Sequence, residues 1–300
     1  MTTVSEVQVE AEIENLTKSG SLWDNMWDMI RKQPLGTFGA AIVLIMILMA
    51  LFANVITTID PEANNLEFML QPPGEAFFLG TDQFGRDLLT RIIFGARTAL
   101  FVGFTCAIIG STLGLVLGVA SAYFGGLFDL IVQRIVDVIM AFPLIILALA
   151  VVATLGPGAE NVIIAITIPF VPQCARVVRS NALAIREIPY VDAARALGFS
   201  HMRIILRHMV PNVVAPFLIM LTSFLGQAIL LEASLSYLGL GVQEPTPAWG
   251  LMLQGGAEEY AESAPWVAIW PGVAISLAVF GFNLFGDAVR DTLDPKLRSQ

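Results

Sequence analysis

An all-α, polytopic membrane protein with about six transmembrane helices is the fold class this sequence predicts, and three observations predict it. The 300 residues are 56% hydrophobic and only 14% charged, with a mean hydropathy of +0.75. Soluble domains average about 45–50% apolar and about 25% charged residues. The apolar residues gather in long runs such as 35–56, 98–124 and 210–231. Roughly 20 residues cross the hydrocarbon of a bilayer at ~1.5 Å of rise each. The basic residues, finally, are one-sided. With the N-terminus inside, the inner segments carry thirteen Lys and Arg (among them Arg176, Arg179, Arg186, Arg195, Arg203 and Arg207), and the outer ones only Arg86, Arg91 and Arg97. Positive charge stays on the cytoplasmic side, so both termini are expected there.

In chain order, residues 1–34 read as a cytoplasmic N-terminal tail. Its acidic, polar start (Glu6, Glu10, Glu12, Glu14) is unlike the basic opening of a secretory signal. Within it, 21–32 places Trp23, Trp27 and Ile30 on one stripe, which reads either as an interfacial amphipathic helix or as a lead-in turn. Residues 35–97 hold the first transmembrane helix and an extracytoplasmic loop. Residues 98–288 form a five-helix core with a cytoplasmic loop at 181–211, and 289–300 is a cytoplasmic C-terminal tail. The spans are expected at 35–57, 98–123, 130–154, 160–180, 210–233 and 266–288. Pro143, Pro169 and Pro172 interrupt the third and fourth, where proline frees a carbonyl and kinks the axis. Gly110, Gly114 and Gly118 recur every four residues, so two backbones can approach closely there. The partner is either a helix of the same chain or another subunit.

Function is bounded first by absences. Nucleic acid requires a clustered basic face, and despite the net charge of −9 one comparable cluster exists, but it lies between two apolar spans, where it suits a protein contact at the membrane side. There is no phosphate-binding GxxxxGK[ST] loop, no HExxH and no GxSxG elbow, so no catalytic or metal-binding role is read. His201 and His208 read as interfacial polar residues, and Cys106 and Cys174 as buried, inert thiols. The span middles carry no ionisable residue, with Arg134, Asp137 and Glu232 placed near span ends. An ion- or proton-coupled secondary transporter usually needs such groups near the midplane. That class, or a channel subunit, is the alternative to a permease driven by a partner.

The segment 187–211 is the most informative. Pro189 suits the first position of a helix. Tyr190, Ala193, Ala194 and Leu197 then fall on one face, Gly198 suits the left-handed residue that ends it, and Ser200 can cap a second helix carrying Arg203 and Arg207 up to Pro211. Alanines ringed by arginines fit either a docked partner or anionic headgroups.

Asp192-Ala193-Ala194, Gly198 and Pro211 keep the spacing of the EAA loop of ATP-binding-cassette importer permeases, with Asp192 in place of the usual Glu, His208 where Ile is common and Val210 where Leu is common. The segments 79–87 (LGTDQFGRD), 95–98 (GART), 232–241 (EASLSYLGLG), 245–250 (PTPAWG) and 293–298 (LDPKLR) resemble the "C" permease of the dipeptide/oligopeptide/nickel branch. The resemblance implies a type I importer permease fold in the bacterial inner membrane. It implies a second homologous permease as heterodimer partner, two ATP-binding-cassette ATPases holding the ATP and Mg that this chain does not, and an extracytoplasmic binding protein. Pro189, Tyr190, Asp192, Ala193, Ala194, Leu197, Gly198 and Arg203 would then couple to an ATPase. Asp82, Arg86, Gly241, Pro245, Pro247 and Trp249 would either meet the binding protein or be structural.

Overall fold

The computed structural model describes residues 33–293, so the 21–32 stripe, residues 294–298 of the last signature and Lys18, Arg31, Lys32, Lys296 and Arg298 lie outside the described residues. Ten α-helices are described: α1 (Pro34–Ile56), α2 (Leu88–Phe124), α3 (Gly126–Met140), α4 (Leu144–Leu155), α5 (Ala159–Arg186), α6 (Pro189–Ala196), α7 (His201–Ile204), α8 (Val214–Tyr237), α9 (Trp249–Glu259) and α10 (Trp266–Leu293). Five helical stretches are long and apolar enough to cross a membrane, and α3 with α4 forms a bent pair that makes a sixth.

Several expected boundaries move. The second span, expected at 98–123, is the 37-residue α2, which starts at Leu88 behind the cap of Asp87, whose carboxylate accepts from Thr90 N at 2.9 Å. Arg91 and Arg97, expected in a loop, therefore lie on a helix. Arg97 is tolerated because its guanidinium donates to Ala50 O at 2.5 Å and Leu51 O at 3.4 Å, near the carbonyl-rich end of α1. The third span, expected as one helix over 130–154, is two helices meeting at 90° around Pro143. Pro169 and Pro172, by contrast, sit inside one continuous α5 of 28 residues.

The second helix of the 187–211 loop does not stop at Pro211. One α-turn (α7) passes through a π-helical turn over Ile205–Met209 and a 3₁₀ turn over Val210–Val213 directly into α8, which ends at Tyr237 rather than near 233. Glu232 is therefore an interior residue of α8, buried, with Ser236 Oγ donating to it at 2.6 Å. The expected outer loop 234–265 also contains a helix, α9.

The core is built on close backbone approach. A Cβ at Gly110 would lie 2.7 Å from Phe170 Cβ, one at Gly114 2.5 Å from Cys174 Cβ, and one at Gly118 2.7 Å from Ala175 O. The glycine face thus packs α2 on α5 of the same chain. Phe170 then stacks on Phe224 of α8 with ring centroids 4.1 Å apart. Cys106 and Cys174 are free and buried, the latter directing its thiol to Ser111 O at 3.4 Å. On the far side, Gly226 of α8 lies against Phe282 and Val279 of α10, and Gly286 of α10 against Thr222, so those two helices run antiparallel.

Candidate functional site

The segment after α5 assembles as local chemistry dictates. Arg186 closes α5 and pairs with Glu187 at 2.9 Å, and Pro189 opens α6 at its first position. Asp192 in the first turn and Arg195 in the last are 2.9 Å apart and favour the two ends of the helix dipole. Gly198 adopts φ +77°, where a side chain would be strained. The turn it makes sends Gly198 N to Arg195 O (2.9 Å) and Phe199 N to Ala194 O (3.2 Å), satisfying two of the last helical carbonyls. Ser200 Oγ then caps the next turn, accepting from Arg203 N at 3.4 Å.

Packing decides which face of α6 looks outward, and here the expected face is corrected. Val191 and Ala194 turn inward, with Ala194 only 4% exposed, so Ala194 seats the helix and does not stand on its open face. Ala193 and Ala196 remain open, as do Leu197 at 74%, Met202 at 64% and Leu206 at 59% exposure, with Arg195, Arg203 and Arg207 around them. Exposed leucine and methionine in one short stretch form the kind of apolar patch that marks a contact surface. Sequence reasoning missed Met202 and Leu206, although their i, i+4 spacing was visible.

Side chains tie this segment to the end of α2 and to the turns that lead into α8, and α5 to α2 beside it. Tyr123, at the end of α2, shares a hydrogen bond of 2.8 Å with His201 Nδ1, and Arg186 donates to Ala122 O at 2.8 Å. Tyr190 OH donates to His208 O at 3.2 Å and accepts from Asn212 Nδ2 at 3.1 Å. Arg203 lies 4.1 Å over the Phe199 ring. Tyr190→Phe is expected to lower stability by about 1 kcal/mol, the usual net value of a lost hydrogen bond, read as a small drop in melting temperature of the purified protein.

The other end of α2 carries a second constellation. Arg86 binds Asp82 at 2.7 Å and forms a two-pronged contact with Glu244 at 2.6 and 3.2 Å. Arg91, fully buried, lies 3.6 Å from both carboxylates and donates to Pro61 O at 2.8 Å and Pro245 O at 3.2 Å. Burial works against the Arg86 charge, but Glu244 and Asp82 outweigh it and hold its pKa above the ordinary guanidinium range. Asp87, next to Arg86 in sequence, caps α2.

Around this cluster the signature segments interlock. Thr98 Oγ1 donates to Pro247 O (2.8 Å), the Trp249 indole to Ile92 O (3.0 Å), and the Trp266 indole to Thr81 O (3.2 Å). Gly95 lets the Trp249 ring approach, and a Cβ on Gly250 would lie 2.1 Å from Ala233 O. Asp82, Arg86, Gly241, Pro247 and Trp249 are buried in this cap, and of the six expected contact residues Pro245 alone is exposed. The hydrogen bonds and ion pairs that hold them lie within the chain. Glu244, 40% exposed along its side chain, is the polar group at the rim that sequence reasoning overlooked.

Comparisons with known proteins converge on one family. The family described as binding-protein-dependent transport system inner membrane component matches residues 110–299, and the N-terminal TM domain of oligopeptide transport permease C matches residues 21–73. A putative peptide transport system permease protein of Brucella abortus is 44% identical over 87% of this chain and 88% of its own length. The dipeptide transport system permease protein DppC of Alkalihalophilus pseudofirmus is 43% identical over 93% of this chain and 91% of its own. The glutathione transport system permease protein GsiD of Pectobacterium atrosepticum is 39% identical over 92% of each chain. Among solved structures, a chain of the inward-facing MetNI methionine ABC transporter aligns with a TM-score of 0.55 at 20% identity, over 69% of this chain and 98% of its own, a likeness of fold.

Proposed function

Because this chain belongs to the family of binding-protein-dependent transport system inner membrane components, and is thus a multi-pass permease subunit of an ATP-binding-cassette importer in the bacterial inner membrane, we propose that it passes peptides or similar small solutes and takes up the work of partner ATPases through α6. Relatives named for peptide, dipeptide and glutathione transport support the solute class. The observation that carries the coupling role is the open surface of Ala193, Leu197, Met202 and Leu206, edged by arginines, on a segment bonded to the end of α2 and to the turns that lead into α8.

In this reading the excess of basic residues puts the α6 end in the cytoplasm, and the cap around Arg86 faces outward toward a binding protein, with Glu244 and Pro245 on its rim. Two ATPases bind ATP and Mg, a second permease completes the pathway, and this chain does no chemistry itself. When the ATPases close, α6 moves with the helix ends it is bonded to, and the cavity changes the side on which it opens. Such a two-state change needs only a few kcal/mol of differential contact.

Leu197→Asp tests the reading in the assembled complex. A docked anchor of about 2 kcal/mol corresponds to roughly a 30-fold loss, so solute-stimulated ATPase activity is expected to fall by that order. Undiminished coupling in an intact complex would sink the assignment.

A further inference from the structure

We infer that the open strip shared by α8 and α10 lines the solute path, with the amides of Gln227 and Asn283 meeting the backbone of a passing peptide; the inference rests on the peptide-importer reading above. On the α8 side, Ser223, Gln227 and Leu230 are open and Ser234 is half-buried, while Thr222, Phe224, Leu225, Gly226, Ala228 and Ile229 are buried. These four positions are spaced i, i+4, i+7 and i+11, a single helical face. On α10, Ser276, Phe280, Asn283 and Asp287 are exposed at the same spacing. The two strips adjoin, because a Cβ on Gly226 would lie 2.9 Å from Asn283 Oδ1, one residue from Gln227.

The serines answer their own needs: Ser223 donates to Ile219 O and Ser276 to Gly272 O, both at 2.8 Å. Gln227 and Asn283 make no side-chain hydrogen bond among the described residues. An amide turned to hydrocarbon without a partner is costly, so this face meets water or polar solute. The contrast is the middle of α1, residues 41–52, whose exposed residues Leu44, Ile45, Leu48, Leu51 and Phe52 are apolar, as a lipid face requires. An amide both donates and accepts. Two of them, flanked by Leu230 and Phe280, match the N–H and C=O groups common to every peptide without selecting a side chain.

Thiol labelling of the assembled complex in proteoliposomes tests this. Cys106 and Cys174 are buried, which keeps the background low. Gln227→Cys, Asn283→Cys and the nearly isosteric Ser223→Cys are to be treated with a membrane-impermeant maleimide, without nucleotide and in an ATP-trapped state, beside Leu44→Cys as the lipid-facing reference. Since the thiolate that reacts needs water, labelling on the strip is expected to run about tenfold faster than at Leu44→Cys in at least one state, and to slow when a peptide carried by the binding protein is present. Rates no faster than the reference in both states would mean that lipid or a partner chain covers the strip, and the inference falls. Fast labelling that no solute slows also overturns it. Fast labelling slowed by a non-peptide solute alone upholds the path and overturns the peptide reading instead.

Discussion

Gly114→Leu is expected to cost about 3 kcal/mol, at the upper end for overpacking, and to remove most folded protein from the membrane. Even the first added atom would lie 2.5 Å from Cys174 Cβ and 2.9 Å from Val171 O. The second of these is backbone, which cannot rotate away, so α2 and α5 must separate. Separation would also strip the neighbouring contacts of Gly110 with Phe170 and of Gly118 with Ala175, and in lipid such packing is the main attraction between helices. Against a total stability of roughly 5–15 kcal/mol, that loss is large. Leu113→Ala, one residue away and 48% exposed, is the matched control and should change little. Thermal melting in detergent, together with membrane yield, reads both; equal melting for the two variants would show that the helices can part without penalty.

Asp82→Ala should be comparably damaging, at about 3–5 kcal/mol, the cost of leaving buried charge uncompensated. The Asp82 carboxylate holds Arg86 Nε at 2.7 Å, faces Arg91 Nε at 3.6 Å, and accepts from Phe84 N and Arg86 N at 2.9 Å each. Without it, two buried guanidinium groups share Glu244, which is itself partly in water. Asp82→Asn keeps an oxygen for the two backbone donors but loses the charge and puts an NH₂ where Arg86 Nε had its acceptor, so it should fall between wild type and alanine. Adding Arg91→Met to Asp82→Asn should recover part of the loss, since it removes the cation left unpaired. Melting curves of the four proteins test the order, and failure of the double variant to recover would show that Arg91 does not depend on Asp82.

Much of this was legible locally. Pro189 at a first helical position, Gly198 with positive φ and Ser200 as a cap follow from single-residue preferences, and all three are found where expected. The spacing of Gly110, Gly114 and Gly118 announced a close helix contact but not its partner, because small residues admit any backbone. The outward face of α6 was not legible either. Its period marks Val191 and Ala194 as neighbours, yet only packing beneath the helix buries them and leaves Leu197 open. Arg91 and Arg97 read as loop residues because charge argues against a span, and that inference failed where carbonyls of another segment receive the charge. The pairing of Arg86 with Glu244 joins residues 158 positions apart, beyond any local pattern.

The sequence by itself determined that this chain crosses the membrane about six times, where the apolar runs lie, and how the 187–211 segment starts, breaks and restarts. These depend on hydrocarbon thickness and on backbone preferences, which act over a few residues. Only the tertiary structure decided which glycines meet which helix, which charges neutralise one another in the cap, and which faces of α6, α8 and α10 stay open. Inside a bilayer, lipid and protein core are almost equally apolar. Hydrophobic pattern therefore cannot assign a face there, and the fit of one helix against another must do so.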